Sequence, residues 1–215
     1  MFLKKFKKFG GEKIPNIIDY IMEIYEREPN ITISIGNDSV QKRRKTMYAN
    51  TIMIYNQSIK NGAHCVFYRE SVPKIYDIFT RLYNEANYMN DIGNWLSVEL
   101  KNAGYVRKDL NSFQRKAYKF MILREQGEYK YVPPHYEEDI INGLHLTDVE
   151  KSLIYKEVDL HLDFNPKQWS LSNRLNKSFK AYGAAIPWLR GQNFRVMVKP
   201  YSHAATSSAD LLLKT

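Results

Sequence analysis

The sequence predicts an α/β fold, a mixed five-stranded sheet flanked by helices, and three observations predict it. Three strand-like runs follow one another between residues 31 and 69 with short polar connections, the pattern of an antiparallel meander. A long apolar stripe at helical spacing then occupies Pro73 to Asn102. After a stretch of weak signal, strand, helix, strand and helix alternate from Val158 to Lys214.

Taken in order, Ile14 to Glu28 sets Ile17, Ile18, Ile21, Ile24 and Tyr25 at helical spacing, with Pro15 near the start and Pro29-Asn30 as a stop. The run ITISIGNDS, Ile31 to Ser39, alternates apolar and polar residues and then passes through Gly-Asn into a carboxylate. Asp38 is therefore expected at or just past the end of an inner strand. Such an Asp is ordinarily an Asx turn; buried, it would have to be paired or metal-bound. A basic turn, Lys42, Arg43, Arg44 and Lys45, leads into strands at 47–55 and 63–69. Basic turns are commonly solvated hairpin tips, yet one beside a carboxylate site could hold a phosphate backbone. On the long helix, Glu85 falls beside the apolar stripe, where a surface Glu or an inward carboxylate would both fit.

Residues 103–156 read as an insertion, with a helix expected over Leu110 to Glu125. In VDLHLDF, Val158 to Phe164, the polar residues Asp159, His161 and Asp163 share one strand face. Two carboxylates and an imidazole on one face repel unless they meet solvent, cations or metal. A helix over 170–186, a strand over 194–199 and a last helix over 204–214 carrying Asp210 complete the chain.

The totals are those of one domain with a real core. The 32 Lys and Arg against 23 Asp and Glu leave a charge of +9, which favours a polyanionic partner. Cys65 is the only cysteine, so an internal disulfide is excluded and an intracellular, cytoplasmic protein is expected. No stretch is long enough to span a bilayer. Residues 1–13 read as a basic tail, either frayed or touching an anionic surface.

The order of elements, with carboxylates at Asp38, Glu85, Asp163 and Asp210, resembles the ribonuclease H-like fold. More narrowly, IGNDS, GAHCVFYRE, VDLHLDF and VKPYSHAATSSAD resemble the motifs of the YkuK-type family of ribonuclease H-like proteins. Asn37 stands where that family has Thr, Val40 where it has Gln, and Asn165-Pro166-Lys167 replaces a glycine-rich turn. The resemblance implies that the first and fourth strands lie side by side and that the four carboxylates converge. It implies a nuclease that hydrolyses RNA, an RNA–DNA hybrid or structured DNA with Mg²⁺ or Mn²⁺, two ions held by Asp38, Glu85, Asp163 and Asp210. Hard divalent ions suit such oxygen donors, and an ion pair roughly 3.5–4 Å apart can activate water and stabilise the leaving oxygen. Asp159, His161, Lys199 and His203 are accessory candidates, and Lys42, Arg43, Arg44, Lys45, Arg69 and Lys167 candidates for backbone contacts. The competing expectation is a binding module that keeps the fold without cleavage.

Overall fold

The computed structural model describes residues 5–56, 63–107, 156–165, 177–199 and 201–214, with 205 and 206 as backbone only. The elements are β1 (Lys7–Lys8), α1 (Ile17–Arg27), β2 (Ile31–Gln41), β3 (Lys45–Asn56), β4 (His64–Pro73), α2 (Ile78–Asn102), β5 (Asp159–Leu162), α3 (Phe179–Gly191) and β6 (Arg195–Val198). A π-helical turn (Ala204–Ala209) then runs into α4 (Asp210–Lys214). They form one mixed six-stranded sheet in the order β1-β4-β3-β2-β5-β6. Pairing is antiparallel from β1 through β2 and parallel from β2 through β6. The expected juxtaposition of the first and fourth predicted strands is present as the β2–β5 pair, with Asn37 opposite Leu162.

The sixth strand comes from the supposed tail. Phe6 is fully buried and meets Tyr68 edge-on at 5.1 Å, while Lys7 and Lys8 pair with Phe67 and Val66. One buried ring and a free β4 edge suffice to dock residues 5–13. The strands are also longer than the alternation suggested. β2 continues three residues past Asp38 to Gln41, and Lys42 N–H donates to Lys45 C=O at 2.8 Å across the exposed basic tip. β4 runs to Pro73, so α2 starts at Ile78, where Asp77 caps it by accepting from Thr80 N–H at 2.7 Å. Of the helix expected over 170–186, the part from Phe179 onward is present as α3, which continues through Pro187 to Gly191, while residues 170–176 fall outside the described residues. The helix expected over 110–125 falls outside the described residues, as does most of the expected insertion. Residues 103–107 pack on the domain: Tyr105 is buried and donates to Ile31 C=O at 3.2 Å.

Both faces of β2 are covered. Ile31, Ile33 and Ile35 join the main core with Ala86, Met89, Ile92 and Leu96 of α2. On the opposite face Ala49 and Phe67 pack against Ala209, Leu212 and Leu213 of the C-terminal segment. α2 lies unusually close to the sheet at Gly93, where a Cβ would stand 2.8 Å from the Phe194 ring and 3.2 Å from Leu160. That contact explains a glycine in the middle of a 25-residue helix. Gly93→Ala gains about 1 kcal/mol of helix propensity, but overpacking costs about 1–3 kcal/mol. We expect a net loss, read as a fall of roughly 2–6 °C in the thermal midpoint.

Candidate functional site

β5 stops at Leu162, so beyond Asn37 the β2 backbone has no strand neighbour on that side among the described residues. The crevice past the carboxyl ends of parallel strands is where α/β sheets commonly bind ligands. Asp38 is the next residue of β2, Asp163 the next after β5, and Lys199 the next after β6. They form one row across three strands, because Leu162 pairs with both Asn37 and Val198. Asp210 opens α4, which packs on the same face of β2 and β3.

The charges in this row sense one another. Burial pushes the Asp38 carboxyl up to about 6, with the Asp163 and Asp210 charges adding to the rise. The Ser39 amide donates to Asp38 Oδ1 at 2.8 Å and offsets part of it. Asp163 is also raised, by burial and by Asp210, against the pull of Lys199, whose ammonium lies 2.7 Å from Oδ1. Asp210 pairs with Lys214, one turn further along α4.

Glu85 enters from the other side of the strand. It is almost fully buried on α2 and accepts from Ser39 Oγ at 2.5 Å. Burial drives its carboxyl well above the usual range, and the Asp38 charge adds to the effect. Arg81, one helical turn before Glu85, donates from Nη1 to Ser39 C=O at 2.7 Å and to Ser39 Oγ at 2.9 Å. Its charge lowers both Asp38 and Glu85. Arg81, Ser39 and Lys214 were not among the sequence candidates. An Arg four residues before a Glu on one helix was the available signal for the first.

The four predicted carboxylates thus occupy one end of the sheet, with Asp38 and Asp163 each sensing Asp210 and Glu85 sensing both. They are not drawn into a closed shell: among the described residues no three His, Cys, Asp or Glu side chains are close enough to hold a metal ion together. The donor set nonetheless suits Mg²⁺ or Mn²⁺. All four groups offer hard oxygen ligands, burial together with neighbouring carboxylates raises Asp38, Glu85 and Asp163 so that protons compete with a cation there, and Mg²⁺ characteristically takes few protein ligands.

The accessory candidates divide. Lys199 does orient a carboxylate, that of Asp163. Asp159 does not reach the site. It lies at the opposite end of the short β5 strand, buried against Arg107 (2.7 Å) and Arg195 (Nε, 2.7 Å). Burial alone would raise its carboxyl, but the two guanidinium groups hold it below the usual range. His161 is a structural pin rather than an exposed proton carrier. Its Nδ1 accepts from Ala204 N–H at 3.2 Å, fixing the start of the π-helical turn, and burial lowers it to about 4. His203 is exposed nearby. Of the basic candidates, Lys42, Arg43, Arg44 and Lys45 are exposed on the β2–β3 tip. Arg69 is instead engaged within the fold, donating to Leu212 C=O and lying 5.7 Å from the Phe67 ring. Lys167 lies outside the described residues.

A family model described as Ribonuclease H-like matches residues 14–115. The match takes in Asp38 and Glu85, whereas Asp163 and Asp210 lie beyond it. No curated protein and no solved structure matches the chain. The family match over residues 14–115 and the mixed sheet, with its parallel β2–β5–β6 half flanked by helices, agree: the fold is α/β and consistent with a ribonuclease H-like one.

Proposed function

We propose that the protein is a Mg²⁺- or Mn²⁺-dependent phosphodiesterase of the ribonuclease H-like class that cuts RNA, an RNA–DNA hybrid or structured DNA. The observation that carries this reading is the gathering of Asp38, Asp163 and Asp210 at one strand end, with Glu85 behind it, where burial first and the Asp163 and Asp210 charges second push the Asp38 carboxyl up to about 6. A fold gains nothing from collecting like charges at one strand end unless a cation is to be held there.

In this reading Asp38 and Asp163 are the central ligands, with Asp38 between the contributions of Glu85 and Asp210. Bound there, one or two divalent ions would supply water activation and stabilisation of the departing oxygen. Arg81 keeps Ser39, and through it Glu85, in place. Lys199 holds Asp163 before substrate arrives. The basic tip of β2–β3 neutralises phosphates along the bound chain. Among the described residues no helix is long and apolar enough to cross a membrane.

A second reading has its own observation. Asp163 and Asp210 are already neutralised by Lys199 and Lys214, as they would be in a binding module that keeps the fold and has no use for metal. The two part on cleavage. Purified protein with RNA, hybrid and branched DNA in Mg²⁺ or Mn²⁺ is expected to cut at least one, and Asp38→Asn or Asp163→Asn to reduce the rate at least about a hundredfold while binding persists. Wild-type protein that binds and cuts none of them is the binding module.

Cation binding has a readout that needs no turnover. The folded-state value of Asp38, about 6, lies above its ordinary one of 3.8. The cation-free protein therefore gains stability as pH falls below about 6 and loses it as pH rises through that value and Asp38 ionises. Mg²⁺ should raise the melting temperature more at pH 7.5 than at pH 5. Its apparent affinity should fall about tenfold per pH unit below 6, where a proton competes for the carboxylate. Asp38→Asn should flatten both dependences, and a wild-type shift independent of pH would speak against Asp38 as a ligand.

A further inference from the structure

The start of α2 carries a second arrangement that the carboxylates do not use. Phe79 and Tyr83, one turn apart, stack with ring centroids 5.7 Å apart and planes at 14°. Trp188 of α3 continues the stack at 5.8 Å and 26° from Tyr83. Three nearly parallel rings from two helices make a short ladder. Tyr83 and Trp188 pack on the core, whereas Phe79 at the outer end is 38% exposed. Tyr76, three residues earlier, is 82% exposed and draws Lys74 Nζ to 5.2 Å from its ring.

This aromatic end adjoins the basic tip. Gln41 donates to Ile75 C=O, Lys74 N–H donates to Arg44 C=O, and Thr46 Oγ1 accepts from Ile75 N–H, so residues 74–76 are fastened to the turn that bears Lys42, Arg43, Arg44 and Lys45. None of those four cations, nor Lys74, has an ion pair with a described carboxylate. Asp77, the one acid between the exposed rings, is turned inward to cap α2, accepting from Thr80 N–H and Oγ1. The surface thus offers positive charge and ring faces side by side, with its one intervening carboxylate engaged. An extended polyanion with planar bases matches both halves; a duplex keeps its base faces covered and can use only the charge.

We propose that this surface binds single-stranded nucleic acid, its phosphates on the 42–45 tip and Lys74, and unpaired bases stacked on Phe79 and Tyr76. Arg81 joins α2 to Ser39, so the platform is fixed relative to Asp38, and the tip begins four residues further along the β2 strand, about 13 Å away. The inference rests on the nucleic-acid half of the proposed function and not on cleavage. It adds that a single-stranded stretch leads to the site.

The test is fluorescence anisotropy with a labelled single-stranded oligonucleotide and the matching duplex, as RNA and as DNA, in EDTA across a salt series. Wild-type protein is expected to prefer the single strand. Phe79→Ala should weaken single-strand binding about 5- to 100-fold, leave duplex binding and the salt slope unchanged, and be rescued by Phe79→Tyr but not by Phe79→Leu. Arg43→Ala with Arg44→Ala should weaken both forms and lower the salt slope. Equal affinity for strand and duplex, unmoved by Phe79→Ala, would overturn the platform while leaving the nucleic-acid reading standing. No binding to any form overturns both. A concentration-dependent dimer lost in Phe79→Ala would give the surface to a second copy of the chain and overturn the proposal.

Discussion

Negative charge gathered where β5 ends is the constraint to which this end of the molecule is fitted. Asp38, Glu85, Asp163 and Asp210 arrive from four elements, and their mutual repulsion opposes folding unless each is protonated, paired or solvated. The protein uses the first two. Glu85 is buried with a hydroxyl donor and its carboxyl is driven well above the usual range, Asp163 and Asp210 have lysines, and Asp38 sits between ionised and neutral near pH 6. Arg81 is the fixed counter-charge. Its two bonds to Ser39 hold α2 against β2 at the point where repulsion would push them apart.

The opposite end of β5 solves the same problem differently. Asp159 is as buried as Glu85, yet two arginines enclose it, and its carboxyl is lowered where that of Glu85 is raised. A buried carboxylate between two guanidinium groups is a satisfied structural charge. A buried carboxyl that faces other carboxylates is an unsatisfied one, the condition expected where a cation or proton is handled. Asp159, which opens β5, and Asp163, just past its end, therefore belong to different categories although the sequence presents them as equivalent.

That contrast shows what was legible. The strands and the long helix could be read because apolar alternation and the helical stripe are local properties. Asp163 and Asp210 sit at element boundaries, but Asp38 lies inside β2 and Glu85 inside α2, and it is the resemblance to family motifs that groups the four. Their partners could not be read. Arg107 and Arg195 lie 52 and 36 residues from Asp159, so no spacing rule joins them. Alternation in ITISI is the local pattern of a half-buried strand, yet Thr32 and Ser34 are buried as well. Small residues such as Ala204 and Ala209 bring the C-terminal segment onto their face without a strong apolar signature of their own. Arg81 was hidden for a related reason: a charged residue beside an apolar stripe reads as surface until its acceptor, a strand carbonyl 42 residues away, is known.

The counter-charges around the site also differ in how readily they can leave. Arg81 is half-buried and tied to Ser39 by two hydrogen bonds, so moving it would strand a guanidinium and free Glu85 from its donor. Lys199 and Lys214 are 45% and 69% exposed at the side chain. Exposed ion pairs of this kind contribute about 0–1 kcal/mol, and a displaced ammonium is resolvated at once. Under the proposed function, a divalent ion entering beside Asp163 and Asp210 would compete only with these weak pairs, while the strong one stays and keeps Asp38, Ser39 and Glu85 aligned. The lysines then act as placeholders, holding the carboxylates apart from one another while no cation is bound and swinging into solvent, or onto a phosphate, when one arrives.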